Sequence, residues 1–246
     1  MRNFPRIFSL HQETNKPMNI PLDDKDWPQA WKGVEFKEYP RFPDFPLPEP
    51  LPLSVSFGEV LKNRRSRRNF DVKKTLTLRE LSSLFFWGAG ISGSKEKPET
   101  SRRFHPSGGG RYPLELYFYF RGNDEIPEGI YHYNIKRHSL EKLPVENPRE
   151  KILSLPTYKF AYDAPLFVFM TAVWDRMMNK YKERGYRFVC IEAGIVLHNF
   201  YLVAETLRLG CCGLGSIIDS QIDEILELDQ TENFIGSFAI GQIREA

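Results

Sequence analysis

Cysteine is scarce in this chain: three in 246 residues, at Cys190, Cys211 and Cys212. The last two are adjacent and no C-x-x-C spacing occurs, which argues against a disulfide framework and a structural zinc site and points to reduced thiols in the cytoplasm. Net charge is equally small, with 34 Lys and Arg against 32 Asp and Glu. The resulting pI of about 8.3 falls short of a dedicated nucleic-acid-binding domain. Long apolar runs are absent too. The most apolar stretch, 188–204, carries Glu192, His198 and Asn199, so it is expected to be a buried helix and not a membrane span. The first dozen residues contain two arginines and no apolar run of signal-peptide length. His105, His132 and His198 lack a metal-ligand spacing, and no metal is expected. No G-x-G-x-x-G fingerprint occurs, which excludes a Rossmann nicotinamide domain.

Against the small net charge, one stretch stands out: Arg64-Arg65-Ser66-Arg67-Arg68 puts four guanidinium groups within five residues. A guanidinium is a planar fork of donors that fits a phosphate with two parallel hydrogen bonds. On residue types alone, three readings stand: a solvated charge run closing a helix, a nucleic-acid patch, and an anion site for a phosphorylated cofactor.

Ten of the 18 prolines fall in residues 1–54, with Pro43 to Pro52 favouring an extended path. The apolar Phe42, Phe45, Leu47, Leu51 and Leu53 within it predict an arm lying across the body or a partner subunit. Residues 55–246 then form the main domain, of α+β class with one hydrophobic core. Ser56-x-x-Glu59 and Thr77-x-x-Glu80 are capping boxes opening two helices, the first ending near Arg64 and the second stopping at Gly90. Residues 92–105 read as an exposed loop. Pro106-Ser107-Gly108-Gly109-Gly110-Arg111-Tyr112-Pro113 is a turn whose glycines let backbone N–H groups approach a ligand. Strands are expected over 114–120, 129–133, 139–143, 165–173, 211–218 and 234–240. Helices are expected over 175–182, 187–208, where Gly210 is the stop and Ala193 and Gly194 permit close packing, and from Asp219 as cap to 226. An all-round apolar helix such as 187–208 must be covered by core or by a second subunit. His198 and Asn199 are expected to be a satisfied core pair.

Arg64-Arg65-Ser66-x-Arg68 followed by Pro106-Ser107-Gly108-Gly109-x-x-Tyr112-Pro113 resembles the FMN-dependent nitroreductase superfamily, most closely its SagB-type dehydrogenase branch, the thiazole/oxazole-forming peptide oxidases. Tyr131-His132-Tyr133, Lys180-Tyr181, the 184–187 run, Gly241 and the segment His11 to Lys16 resemble that branch too. The resemblance implies a mixed sheet flanked by helices, in an intertwined homodimer with FMN at the interface. It places the FMN phosphate on Arg64, Arg65, Ser66 and Arg68, with Arg244 as a further ligand. It places Pro106, Ser107, Gly108 and Gly109 against the flavin from the neighbouring subunit, and backbone at Gly215, Ser216 and Ile217 facing N5. Lys180 and Tyr181 match a pair that acts in azoline-oxidising members, although Lys180, Lys182, Glu183 and Arg184 also read as a solvated helix surface. Arg111, where the family carries a small or apolar residue, and Tyr112 are assigned to the substrate side. There Arg111 either attracts an acidic substrate at the mouth or sits in solvent.

The function implied is hydride transfer through flavin N5. One form is dehydrogenation of an azoline ring in a modified peptide, beside a cyclodehydratase or alone. The other is reduction of a nitroaromatic or quinone, with NAD(P)H docking transiently as hydride donor. Two alternatives from other classes are an FMN-binding or flavin-consuming protein without conventional redox turnover, and a nucleic-acid binder. The second predicts steep salt dependence and a colourless protein.

Overall fold

The computed structural model describes residues 5–15, 20–21, 23–93 and 96–244. Its centre is a seven-stranded sheet built from β1 (Asp44–Pro46), β2 (Leu114–Phe120), β3 (Gly129–Asn134), β4 (Ser139–Lys142), β5 (Leu166–Val173), β6 (Leu209–Leu214) and β7 (Glu232–Gln242). The strand order is β1-β4-β3-β2-β5-β7-β6. Every pairing is antiparallel, which corrects the expected mixed sheet. Neighbouring strands run in opposite directions here, so no parallel crossover is required.

The helices are α1 (Pro5–Glu13), α2 (Phe57–Asn63), α3 (Leu78–Ala89), α4 (Pro148–Ser154), α5 (Trp174–Tyr181), α6 (Gly185–Thr206) and α7 (Asp219–Ile225). Thr77 and Glu80 exchange both bonds of a capping box at the start of α3, and Ser56 accepts from the Glu59 N–H at the start of α2. α7 departs from expectation, since its N-cap is Ile218 and Asp219 makes no side-chain cap bond. The stop of α6 differs as well. Leu207 caps it, Arg208 turns the chain at φ 59°, and Gly210 lies inside β6 against Phe70.

Alternation along the strands puts one set of side chains on each face. Leu114, Leu116, Phe118 and Phe120 of β2 meet α3 and α6, while Tyr117 and Tyr119 meet the arm, α4 and α7. The sheet is therefore buried on both faces and divides two apolar clusters, where one core was expected. α3 and α6 approach closely at Gly88, where any Cβ would strike the Phe200 ring. Gly194, expected to serve that purpose, instead faces open space.

The proline-rich segment is tied into the sheet: Asp44, Phe45 and Pro46 pair with β4 as its edge strand. Ahead of it the arm crosses the second face, where the Tyr39 hydroxyl meets that of Tyr117 at 2.9 Å. Farther upstream, the Arg187 Nε donates to Thr14 Oγ1 at 2.8 Å, docking the end of α1 on the start of α6. Lys16, the last residue of that resembling segment, lies outside the described residues. α5, a 3-10 turn and α6 follow one another over Trp174–Thr206, a stretch long and apolar enough by composition to cross a membrane. Lys182 at φ 49° breaks it, and Val189, Val196, Phe200 and Val203 of α6 are buried against the sheet or α3.

A buried ionic chain ties arm to sheet. Glu115 contacts Arg176 at 2.5 Å and His132 at 3.0 Å, and His132 continues to Glu141 at 2.7 Å. The Tyr39 N–H donates to Glu141. Burial alone would raise the Glu115 carboxyl, but Arg176 and His132 overcome it and hold the group at about 2. Burial likewise opposes the charge on His132, and its two carboxylate partners raise its pKa nonetheless. Glu115 thus stabilises the fold fully above the ordinary carboxylate pKa, and that contribution is lost as pH falls toward 2. His132 contributes below its ordinary pKa, and its contribution is lost as pH rises through the raised value. Glu115→Gln leaves two buried cations short of a partner and is expected to cost on the order of 3 kcal/mol. Chemical denaturation of both proteins from pH 7 to pH 3 checks this: the gap should shrink as pH falls below 4.5.

Candidate functional site

The arginine run leaves α2 at Arg64 and crosses toward the end of α6. Arg64 stacks over the Tyr201 ring at 5.4 Å, and the Ser66 hydroxyl lies 3.1 Å from the Tyr201 hydroxyl. Tyr201 also accepts from the Gly213 N–H at 2.7 Å, so one phenol links Ser66 to the strand that leads into Gly215, Ser216 and Ile217. Burial raises the Tyr201 pKa, which keeps it a neutral donor and acceptor. Arg67 N–H donates to Cys211 O, and Arg244 N–H to Asn69 O, which brings Arg244 beside the run. Gly215 is exposed and a Cβ there would meet nothing, so its backbone borders open space. Ser216 donates to Thr157 Oγ1 at 3.3 Å.

The four guanidinium groups of the run are not equivalent. Arg67 is engaged with Glu205 at 3.1 Å. Arg65 donates to the carbonyls of Lys62 and Arg64, and Arg68 to that of Ser66 while lying 5.7 Å from the Phe160 ring. Among the described residues, Arg64, Arg65 and Arg68 have no carboxylate within salt-bridge distance, while Arg244 reaches Asp163 at 3.5 Å. Three cations without counter-ions, a hydroxyl and a weakly paired fourth cation fit a phosphate monoester.

The glycine-rich turn lies at the opposite end of α6. Gly108 to Gly110 form one 3-10 turn, with φ of 61° at Gly109 and 66° at Gly110. The Ser107 hydroxyl donates to Glu192 at 2.5 Å and accepts from the Tyr112 N–H at 2.8 Å, which pins the turn to α6. Glu192 also sits 3.3 Å from His105, deep in the protein. Lys180 and Tyr181, at the end of α5, pack directly against the turn: a Cβ at Gly109 would strike the Tyr181 hydroxyl and come within 3.3 Å of Lys180 Nζ. Both side chains are buried, which differs from the solvated surface that their charged neighbours implied. Burial, helped by Arg111, lowers the Lys180 pKa, and burial raises that of Tyr181. Gly109→Ala combines strained backbone with displacement of Tyr181. It is expected to lower stability by about 1–3 kcal/mol, read by thermal denaturation.

Arg111 and Tyr112 both line a cavity beside the turn, though the surroundings of Arg111 differ from expectation. Arg111 is buried, and it donates to the carbonyls of Arg176, Trp31, Gly33 and Ala30 at 2.7–3.0 Å. A guanidinium so committed neither waits at a mouth nor sits in solvent; it fastens the arm. Tyr112 is buried at φ 46°, and its hydroxyl accepts from the Arg103 N–H at 3.0 Å. Arg103 and His105 are buried as well, and Phe104 between them is half-buried, although this loop was expected to be exposed. His198 is exposed and only Asn199 bonds inward, to Gly88 O, so the expected core pair is split by the helix period.

The roles of Glu192, of the Glu115–His132–Glu141 chain and of the arm's tryptophans escaped the sequence reading. For Glu192, the signal was a charge inside an otherwise apolar helix. The others carry no local signal.

The nitroreductase family model matches residues 61–242. A nitroreductase-like protein of Methanocaldococcus jannaschii is 35% identical over 177 residues, 72% of this chain and 86% of that one. The microcin B17-processing protein McbC of Escherichia coli is 27% identical over 176 residues, 66% of this chain and 60% of McbC. The E. coli microcin synthetase McbBCD complex with truncated pro-MccB17 bound includes a chain of the same fold. Its TM-score is 0.62 at 21% identity, covering 98% of this chain and 93% of that one.

Proposed function

Because the chain belongs to the nitroreductase family, we propose that it is an FMN-dependent oxidoreductase working as a homodimer. The observation that carries this is the division of the site along α6. Arg64 and Ser66 of the arginine run meet Tyr201, and the glycine-rich turn is pinned at Glu192, nine residues earlier. At 1.5 Å per residue these lie about 14 Å apart along the helix. A second copy bringing its turn to the arginines of the first completes the site, with Pro106, Ser107, Gly108 and Gly109 on one side of the flavin. The exposed face of α6 supports such a contact, since Ile191 is 60% exposed and Gly194 lies open beside it.

Arg64, Arg65, Ser66, Arg68 and Arg244 would hold the phosphate, and backbone at Gly215, Ser216 and Ile217 would border the ring. When bound, FMN supplies a hydride acceptor at N5. The chain's own task is the accompanying proton. Lys180, with its pKa lowered, is suited to take it, and Tyr181, with its pKa raised, to orient as a neutral donor. That pairing supports dehydrogenation of an azoline ring in a modified peptide, in keeping with the kinship to McbC, with a cyclodehydratase as working partner. Nitro or quinone reduction from a transiently docked NAD(P)H uses the same site without the proton acceptor. The experiment is an absorbance spectrum of the purified protein followed by rapid mixing with NADH, NADPH and an azoline peptide. A flavin band that bleaches supports the proposal; protein that stays colourless in excess FMN refutes it.

A further inference from the structure

Two tryptophans of the arm close over Lys180. Its ammonium lies 3.3 Å from the Trp27 ring centroid and 5.4 Å from that of Trp31, and the two indoles meet edge to face at 6.3 Å. The Trp27 N–H is spent on Pro21 O, which fixes the indole in the arm. The backbone around Trp31 is held by Arg111, which reaches the carbonyls of Ala30, Trp31 and Gly33. Beside these indoles is a cavity of about 400 Å³, lined by Trp27 and Trp31 and, from the glycine-rich turn, by Gly109 and Gly110. A Cβ at Gly110 would meet nothing, so the turn admits close approach of a flat group. At the rim stand Lys32 and Arg102, both exposed, and Glu99, whose carboxylate lies 3.6 Å from Lys136. The rim is therefore net positive.

We propose that this chamber is a binding site for a planar conjugated ring bearing an anionic group, with the ring against the indoles and the anion at Lys32 and Arg102. Its volume lies within the range of about 300–1,000 Å³ typical of ligand pockets. Indole faces favour flat π systems over puckered rings, and the rim favours negative charge. The proposal uses the functional reading above only in placing the ring across Gly109 from Lys180 and Tyr181; binding itself needs no turnover.

The test is a tryptophan-fluorescence titration of the full chain with three probes: 4-nitrobenzoate (planar anion), 4-nitrobenzylamine (planar cation) and cyclohexanecarboxylate (puckered anion). The nitrobenzoate is expected to bind at least about tenfold more tightly than either, a gap of about 1.4 kcal/mol. Trp31→Leu should remove that preference for flat rings. The exposed pair Lys32→Glu and Arg102→Glu, which leaves the interior untouched, should turn the preference from carboxylate to amine. Equal binding of the three probes, an unchanged preference in the rim variant, or competition of 4-nitrobenzoate with FMN for one site would overturn the proposal. A colourless protein that still selects the nitrobenzoate counts against the flavin reading alone. A flavoprotein indifferent to the probes counts against the chamber alone.

Discussion

Arg68→Ala is expected to weaken FMN binding by about 10- to 100-fold, the loss of one charge-assisted hydrogen-bonding partner. Arg68 donates only to a backbone carbonyl and stacks on Phe160, so its remaining donors and its charge are available to an anion. Arg67, one residue earlier, is the internal control. Its guanidinium is bound to Glu205, and Arg67→Ala is expected to change FMN affinity by less than about threefold, as for a distant surface charge. Equilibrium titration of apoprotein with FMN measures both. A phosphate site also predicts that the Arg68 effect shrinks as salt rises. Equal effects at positions 67 and 68 would mean that the run acts only as diffuse positive charge.

The second large effect belongs to the pair at the end of α5. Lys180→Met and Tyr181→Phe should retain flavin but slow dehydrogenation of an azoline substrate by about 100-fold or more, the range of a lost general acid or base. The buried ammonium has its pKa held below the ordinary lysine value of 10.5. The rate of the unaltered enzyme should therefore rise with pH through a limb below that value, and Lys180→Met should abolish the limb. Because burial raises the Tyr181 pKa, Tyr181→Phe should lower the rate while leaving the limb in place. Turnover and pH profile unaltered in both variants would remove the pair from the chemistry. The site would then fit nitro or quinone reduction, which asks no proton acceptor of this chain.

Features whose cause is local were legible in the sequence. The Thr77–Glu80 capping box, the run 114–120 and the hairpin around 134–138 are each specified by residues within a few positions of one another, and the structure places them as read. The arm's edge strand was not, because Asp44 to Pro46 pair with residues nearly a hundred positions away. Arg111 misled for the same reason. An arginine in a glycine-rich turn looks solvent-facing until the carbonyls of residues 30–33 arrive from the far end of the chain to receive it. Each half of the proposed site is short-range: Arg64, Ser66 and Arg68 share one segment, and Ser107 to Gly109 another. Their separation along α6 is set by the packing of that helix between α3, α5 and the sheet, which no spacing in the sequence encodes.

Sedimentation of the purified protein, monitored both at the protein band and at the flavin band, tests the central claim most directly. The account predicts one species with the mass of two chains that carries two FMN. A single chain that binds FMN unaided, or a pair of chains that never takes up flavin, would contradict it.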